Sequence, residues 1–387
     1  MKKILLSFGT RPEAIKLAPV IKALQDSGDL EPVVAVTAQH RQMLDQALEA
    51  FDIVPDFDLD VMVQGQSLGY LTSKVLETFA PVVEQVQPDA VVVQGDTTSS
   101  FVCALGAFYK QIPVGHVEAG LRTDTLYNPF PEEANRRLTT RLASLHFAPT
   151  AWAKANLLAE KVEASSIFVT GNTVVDALRT IAAQDLEHSE PQVKQAIAES
   201  EGKRMLLVTL HRRENLGEPM REICEAVKTL LLRFPDVQLV FPMHLNPKVR
   251  EVVTSVLAGL SNATLIEPPA YLDFVQLLKQ AHLVLTDSGG VQEEGPGFGK
   301  PVLVARETTE RPEGVEAGVA RLVGHSGQVI LAAASELLSD EVAYQQMART
   351  ASPYGDGQAS QRIVEILRWY FDQDLPRPID FEPGTEA

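Results

Sequence analysis

The stretch LTDSGGVQEEGPGFGKP, residues 285–301, is where the reading of the fold begins. An apolar run ends in Thr286-Asp287, the small residues Ser288-Gly289-Gly290 follow, and two adjacent carboxylates stand at Glu293 and Glu294. Small residues after a strand let backbone approach a ligand, and the first N–H groups of the next helix lack intrahelical partners. Such an end is a ready anion site, to which Ser288 adds a hydroxyl. Glu294 lies about two turns into the helix and suits sugar hydroxyls rather than phosphate. Phosphate at Ser288–Gly290 with ribose on Glu294 would describe a nucleotide diphosphate. The plainer reading, a capped helix with solvated acids, fits the stretch equally well when it is taken alone.

Outward from it, short apolar runs alternate with helical patterns. The strand candidates are KILLSF (3–8), VVAVT (33–37), AVVVQ (90–94), IPVGHVE (112–118), LHFAP (145–149) and SIFVT (166–170). The beat restarts with RMLLVTL (204–210), VQLVFPM (237–243), ATLIEP (263–268), HLVLTD (282–287), PVLVA (301–305) and ARLVG (320–324). Near-continuous apolar strands separated by helices such as 12–26, 67–86 and 97–109 indicate parallel sheets covered on both faces. Two series predict two Rossmann-like, doubly wound α/β domains facing a cleft. The expected division is 1–172 plus a C-terminal helix near 358–372, then 173–357, with 373–387 a loosely ordered tail.

The chain has 387 residues, and at roughly 100–200 residues per domain it is too long for one ordinary core. A formal charge of −17 argues against nucleic-acid or anionic-membrane partners. Cys103 and Cys224 lie in apolar helical contexts and read as buried thiols of a reducing compartment. The opening MKKILLSFGTRPE is interrupted too early for a signal-peptide core, and no run approaches the roughly 20 apolar residues of a membrane span. The expectation is a cytoplasmic protein.

Ligands of open parallel sheets bind beyond the carboxyl ends of the strands. Polar, glycine-punctuated turns collect there: Gly9–Glu13, Gln39–Arg41, Gly95–Thr98, His116–Arg122, Gly171–Thr173, His211–Asn215, His244 and Ser288–Gly290. In FGTRPEAIK (8–16), Arg11 stands at a strand-to-helix elbow where a guanidinium can grip a phosphate, and Lys16 follows about one turn later. Asp96, Glu118 and Glu132 form an acid group. Carboxylates converging at strand ends can work as an acid/base pair, although Asp96 could equally cap a helix and Glu133 could pair with Arg136. In TLHRREN (209–215), His211 can donate to a leaving phosphate while Arg212 and Arg213 supply positive charge. The histidines show no metal spacing, GPGFGKP misses the phosphate-loop pattern, and no G-x-G-x-x-G follows the first strand. Neither metal nor redox cofactor is expected.

Taken in order, FGTRPEAIK, TAQHRQMLDQ, QGDTTS, PVGHVEAGLRT, PFPEEANRR, VTGNTVVDAL, TLHRREN, FPMHLNP, LTDSGGVQEE and TTERPE resemble the non-hydrolysing bacterial UDP-N-acetylglucosamine 2-epimerases over roughly residues 1–370. The resemblance implies a glycosyltransferase-B type fold whose C-terminal helix crosses back to the first domain. It implies inversion at C2 of UDP-N-acetylglucosamine to UDP-N-acetylmannosamine, through elimination of UDP to a 2-acetamidoglucal and its re-addition. Carried across by motif, Arg11, Lys16, Phe274, Ser288, Gly289, Gly290, Glu294 and Arg311 match UDP-binding positions. Asp96, Glu118, Glu132 and His211 match the catalytic group. Gln39, Gln42, Gln66, Arg212 and His244, with Glu132, match the positions where bacterial members hold a second substrate molecule as activator. Gly65 stands where some members carry arginine, and Pro269 where some carry glutamine. A homodimer is also implied. A hydrolysing relative, a glycosyltransferase of the same fold and a silent sugar-nucleotide sensor stay open as alternatives; the intact acid and histidine set weighs against the sensor.

Overall fold

The computed structural model describes residues 1–38, 41–63, 65–123, 125–183, 189–348 and 351–384, with backbone alone for 41–43. Contacts divide the chain into two compact units, Met1–Ala177 with Tyr354–Glu382, and Leu178–Pro353 with the terminal residues.

The first unit is built on seven strands: β1 (Lys2–Phe8), β2 (Leu30–Val36), β3 (Phe57–Asp58), β4 (Ala90–Gln94), β5 (Val114–Val117), β6 (Leu145–Ala148) and β7 (Ile167–Val169). Their order is β3-β2-β1-β4-β5-β6-β7, and every pairing is parallel. β4 is AVVVQ and buried at all five positions, because helices cover both of its faces. Phe79, Val83, Val102 and Cys103 of the helices Leu68–Val86 and Thr98–Tyr109 pack on Leu5, Val91 and Val93 of the sheet. β3, only two residues long, is absent from the sequence reading, being too short to show a period.

The second unit repeats the plan with β8 (Arg204–Thr209), β9 (Val237–Pro242), β10 (Ala263–Ile266), β11 (Leu283–Thr286), β12 (Val302–Val304) and β13 (Ala320–Leu322). The order is β10-β9-β8-β11-β12-β13, again wholly parallel. Its helix Glu218–Arg233 turns Met220, Ile223, Val227 and Leu230 onto Leu206, Leu239 and Leu285. In both units the winding reverses between two central strands, β1 beside β4 and β8 beside β11. Chain leaving the carboxyl ends of those pairs diverges and opens a crevice in which ligands of such sheets bind.

The last helix, Ala359–Phe371, belongs to the first unit. Asp176 caps it, accepting from the backbone N–H groups of Ala359 and Ser360 at 3.2 and 2.8 Å. Burial raises the Asp176 carboxyl above its usual range, against the lowering effect of those bonds. At the far end Arg368 pairs with Asp29 at 2.7 Å. The segment after it, expected to be loosely ordered, makes specific contacts through residue 381. Arg377 lies over the ring of Phe168, the Phe381 N–H donates to the Val169 carbonyl at 2.7 Å, and the Phe381 side chain is buried. Proline and acid content suggested looseness, but an aromatic and an arginine in the segment each find a partner on the edge strand. Among the described residues no helix is long and apolar enough to cross a membrane.

Candidate functional site

In the first unit, the elbow after β1 is fixed by Glu13. Its buried carboxylate accepts from the N–H groups of Gly9 at 3.0 Å and Thr10 at 2.7 Å, and from the Thr97 hydroxyl at 2.7 Å. Glu13 therefore ties the turn after β1 to the turn after β4. Arg11 opens the helix Arg11–Ser27 from this elbow and is half-buried. Lys16, one turn further on, reaches Glu118 with Nζ 2.6 and 2.7 Å from its two oxygens.

Glu118 directly follows β5 in a left-handed conformation, φ +65°, and is 9% exposed. A non-glycine residue there is uncommon and costs on the order of 1 kcal/mol. Donors hold its carboxylate: Lys16, the Gln94 amide and, at 3.4 Å, the Asn172 amide. Gly95, at φ +70°, lies so close that a Cβ there would stand 3.8 Å from Glu118 Oε2. Asp96 comes next. It does not cap the following helix: Thr97 does, accepting the Ser100 N–H at 3.1 Å. Asp96 is instead held by the helix Glu132–Leu142, with Asn135 donating to its carbonyl at 2.9 Å and Arg136 to its carboxylate at 2.5 Å. Asp96 and Glu118 thus lie on converging turns.

Glu132 and Glu133 begin that helix and part company. Glu133 is fully buried, bonds Arg137 at 2.6 Å and the Thr123 N–H at 3.1 Å, and lies 3.4 Å from Arg136. Glu132 is left half-exposed on the same turn. Arg136 therefore serves Asp96 as well as Glu133, a role its helix spacing alone did not reveal. His116 is fully buried, with Nε2 2.7 Å from the Gly95 carbonyl, and burial pushes it down to about 3, so it stays neutral. Of the effector positions, Gln66 is half-buried with its amide oxygen on the Val63 N–H at 3.1 Å. Gln39 and the side chain of Gln42 lie outside the described residues.

In the second unit, His211 and the opening stretch meet. β8 and β11 are neighbours, and the Thr209 and Thr286 hydroxyls bond at 2.6 Å. Asp287, wholly buried, accepts from the N–H groups of His211 at 3.0 Å and Arg212 at 2.9 Å and from the Asn215 amide at 2.9 Å. His211 Nδ1 lies 3.1 Å from its carboxylate, and the His244 ring stacks on His211 at 5.9 Å. Burial works to raise the Asp287 carboxyl, yet the His211 bond and charge, with the Arg212 and Asn215 bonds, outweigh it and hold the carboxyl low. Sequence reasoning alone assigns Asp287 no part; its place, last before Ser-Gly-Gly at a central strand end, is the available signal.

Beyond Asp287, Gly289 leaves room for the tips of two side chains: a Cβ there would stand 2.9 Å from an Arg311 nitrogen and 3.0 Å from a Glu310 oxygen. Ser288 is half-buried and its N–H is taken by the Thr286 hydroxyl at 2.9 Å. Arg311 bonds Glu293 and reaches Glu310 at 2.9 Å, while Arg306 at 2.7 Å and Arg212 at 3.5 Å approach the same Glu310. Burial raises Glu310, but the charges of Arg311 and Arg306 prevail and bring it down to about 2. Glu294 accepts the Tyr271 hydroxyl at 3.0 Å, and Gly290 lies beside it. Phe274 sits one turn after Tyr271 on the helix Tyr271–Gln280. This is a guanidinium cluster beside a glycine turn, with a carboxylate and an aromatic ring next to it. Among the described residues no group of histidine, cysteine and acid side chains could hold a metal ion.

The family model described as UDP-N-acetylglucosamine 2-epimerase matches residues 22–368. The UDP-N-acetylglucosamine 2-epimerase of Escherichia coli K12 is 52% identical over 371 residues, covering 95% of this chain and 98% of the relative. A crystal structure at 2.2 Å of a Listeria monocytogenes protein described as a putative enzyme of that name superposes with a TM-score of 0.93 at 48% identity, covering 99% of this chain and all of that one. The Neisseria meningitidis UDP-GlcNAc 2-epimerase, solved bound to UDP-GlcNAc, gives a TM-score of 0.84 at 47% identity over 95% of this chain and 99% of its own. Two parallel-sheet units, the ordered motifs and these likenesses agree: the chain belongs to the UDP-N-acetylglucosamine 2-epimerase family.

Proposed function

We propose that this protein interconverts UDP-N-acetylglucosamine and UDP-N-acetylmannosamine without net hydrolysis. The observation that carries the reading is the pairing, on the second unit, of His211 with the glycine turn and guanidinium cluster that follow the adjacent strand. A proton C2 does not readily release must be lost, so the departing diphosphate has to be stabilised strongly. Fixed donors aimed at developing charge supply that stabilisation. Gly289, Gly290, Ser288 and Arg311 are assigned to the diphosphate, Glu294 to the ribose and Phe274 to the base.

In the elimination, a carboxylate takes the C2 proton, the C2–H electron pair becomes the C1–C2 double bond, and the C1–O pair leaves with UDP. His211 assists at the departing oxygen. Re-addition reverses these movements with the proton delivered to the opposite face of C2. Asp96, Glu118 and Glu132 are the acids assigned to the two faces, and Arg11 and Lys16 add positive charge. Lys16 holds Glu118 directly, so it bears on both tasks. Gln66, Arg212 and His244, with Gln39 and Gln42, are assigned to an activating second substrate molecule. A cytoplasmic homodimer is the proposed working form.

The test is incubation with UDP-N-acetylglucosamine in deuterated water, followed by proton NMR. A mixture of both nucleotide sugars with deuterium at C2 is expected. Free N-acetylmannosamine with stoichiometric UDP would replace the proposal with the hydrolysing reaction, and unchanged signals despite binding would make the protein a sensor.

A further inference from the structure

Glu133 and Asp287 are both carboxylates with no solvent exposure, but they are neutralised differently. Two arginines flank Glu133. Among the described residues no lysine or arginine lies within ion-pair reach of Asp287; its partners are the backbone N–H groups of His211 and Arg212, the Asn215 amide and the His211 ring. A buried carboxylate is expensive unless every oxygen is well supplied with donors. Backbone and Asn215 donors already supply Asp287 without the ring, so the imidazole is the partner whose presence needs another reason.

We infer that Asp287 is a positioning residue that fixes His211 in one tautomer, with the proton on Nδ1 and Nε2 presented outward for the phosphate oxygen that leaves C1. A carboxylate can only accept, so the ring nitrogen facing it must donate. Nδ1 is that nitrogen, at 3.1 Å. Nε2 is then the atom that gives its proton towards the departing oxygen in elimination and takes it back in re-addition. The buried negative charge beneath the ring stabilises the imidazolium between those events. The His244 ring stacks on His211, with centroids 5.9 Å apart. The register of β8 against β11 sets the geometry, since the Asp287 N–H donates to the Thr209 carbonyl at 3.2 Å.

The inference rests on the assignment of His211 to the leaving group, and a double-mutant cycle separates the two. Turnover and UDP binding are measured for Asp287→Asn, His211→Gln and the double variant. Each single change is expected to lower kcat by about 10²–10⁴-fold with UDP affinity within about threefold, and the double variant to be no slower than the slower single. Losses that multiply in the double variant would make Asp287 structural and overturn the inference. A His211→Gln protein with normal kcat would overturn the assignment of His211 itself. Because Asp287→Asn could disturb the turn, ¹⁵N NMR of the imidazole in the unaltered protein gives a second reading. A proton on Nδ1 of neutral His211 is expected; a proton on Nε2 would overturn the inference whatever the variants do.

Discussion

His116 and His211 both stand at the carboxyl end of a central parallel strand, and their surroundings are opposite. His116, in β5, is entirely enclosed, holds the Gly95 carbonyl at 2.7 Å and is driven by burial to about 3. His211, just past β8, keeps 39% of its side chain exposed over a buried carboxylate. Full enclosure makes His116 neutral building material, its burial outweighing the opposing Glu118 charge, whereas His211 keeps a solvent-facing edge above the Asp287 carboxylate. Glu133 and Glu132 repeat the contrast one residue apart, the first locked between arginines and the second left accessible. At these sheet edges, one member of each like pair is buried in the turn and the other is partly exposed.

The sharpest way to break that division is to alter Glu132, its accessible acid, together with Asp96, which Arg136 of the same helix holds. Asp96→Asn and Glu132→Gln should each lower turnover by about 10²–10⁴-fold, with unfolding free energy within about 1 kcal/mol of the parent. Epimerase assays beside urea denaturation give both numbers. Wild-type turnover in either variant would remove that acid from the catalytic set.

The complementary change is Glu133→Gln, which leaves Arg136 and Arg137 facing an amide. Breaking a buried ion pair from one side typically costs 3–5 kcal/mol, and the partial exposure of Arg137, 38%, brings the expectation down to about 3 kcal/mol. Arg136 also positions Asp96, so some loss of activity will follow, but stability should fall first and furthest. A variant that is as stable as the parent yet inactive would exchange the roles given to the two neighbours.

Much of this was legible in the residues. Apolar runs such as AVVVQ and PVLVA mark buried parallel strands, and the two sheets follow from their alternation with helical patterns. The polar turns after β1, β4, β5, β8 and β11 were readable as one functional edge of each sheet. What could not be read was the wiring. Glu13 is one residue of the polar turn Gly9–Glu13 in the sequence, yet in the fold it ties two turns together. Asp96 could have been an acid of the site or a helix cap; Thr97 takes the cap position and Asp96 turns to Arg136, 40 residues away in sequence. Lys16 and Glu118 were assigned to different tasks and meet at 2.6 Å across 102 residues. Local propensity reports backbone conformation; it carries no information on which of several nearby charges a side chain will choose.

A smaller effect comes from the pH dependence of His116. Its folded value, about 3, lies below the ordinary value near 6.5, so the unfolded chain binds the proton more readily. The stability it contributes is fully present above about pH 6.5 and is lost as pH falls through the window towards 3. Between about pH 8 and pH 5 the loss from this one residue is about 2 kcal/mol. His282, brought by burial to about 4, acts in the same direction but is common to parent and variant. The His116→Gln protein should therefore lose about 2 kcal/mol less than the parent over that range in urea denaturation. Parallel pH curves for the two would mean that His116 is reached by protons in the folded state.

The smallest effect tests the opposite edge of the first sheet. A concavity of about 480 Å³ lies there, lined by Lys2, Asp29, Asp89, Arg368 and Phe371, and by size alone it would compete as a site. Its chemistry argues otherwise, because its charges are already matched: Lys2 with Asp89 at 2.8 Å and Arg368 with Asp29 at 2.7 Å. Lys2 is half-exposed and also lies 5.4 Å from the centre of the Phe371 ring. Exposed pairs of this kind contribute about 1 kcal/mol or less. Lys2→Ala should therefore shift the unfolding free energy by no more than that and leave kcat and KM unchanged. A tenfold fall in kcat/KM from so slight a structural change would place function at the amino-terminal edge, where a doubly wound sheet has no converging loops to support it.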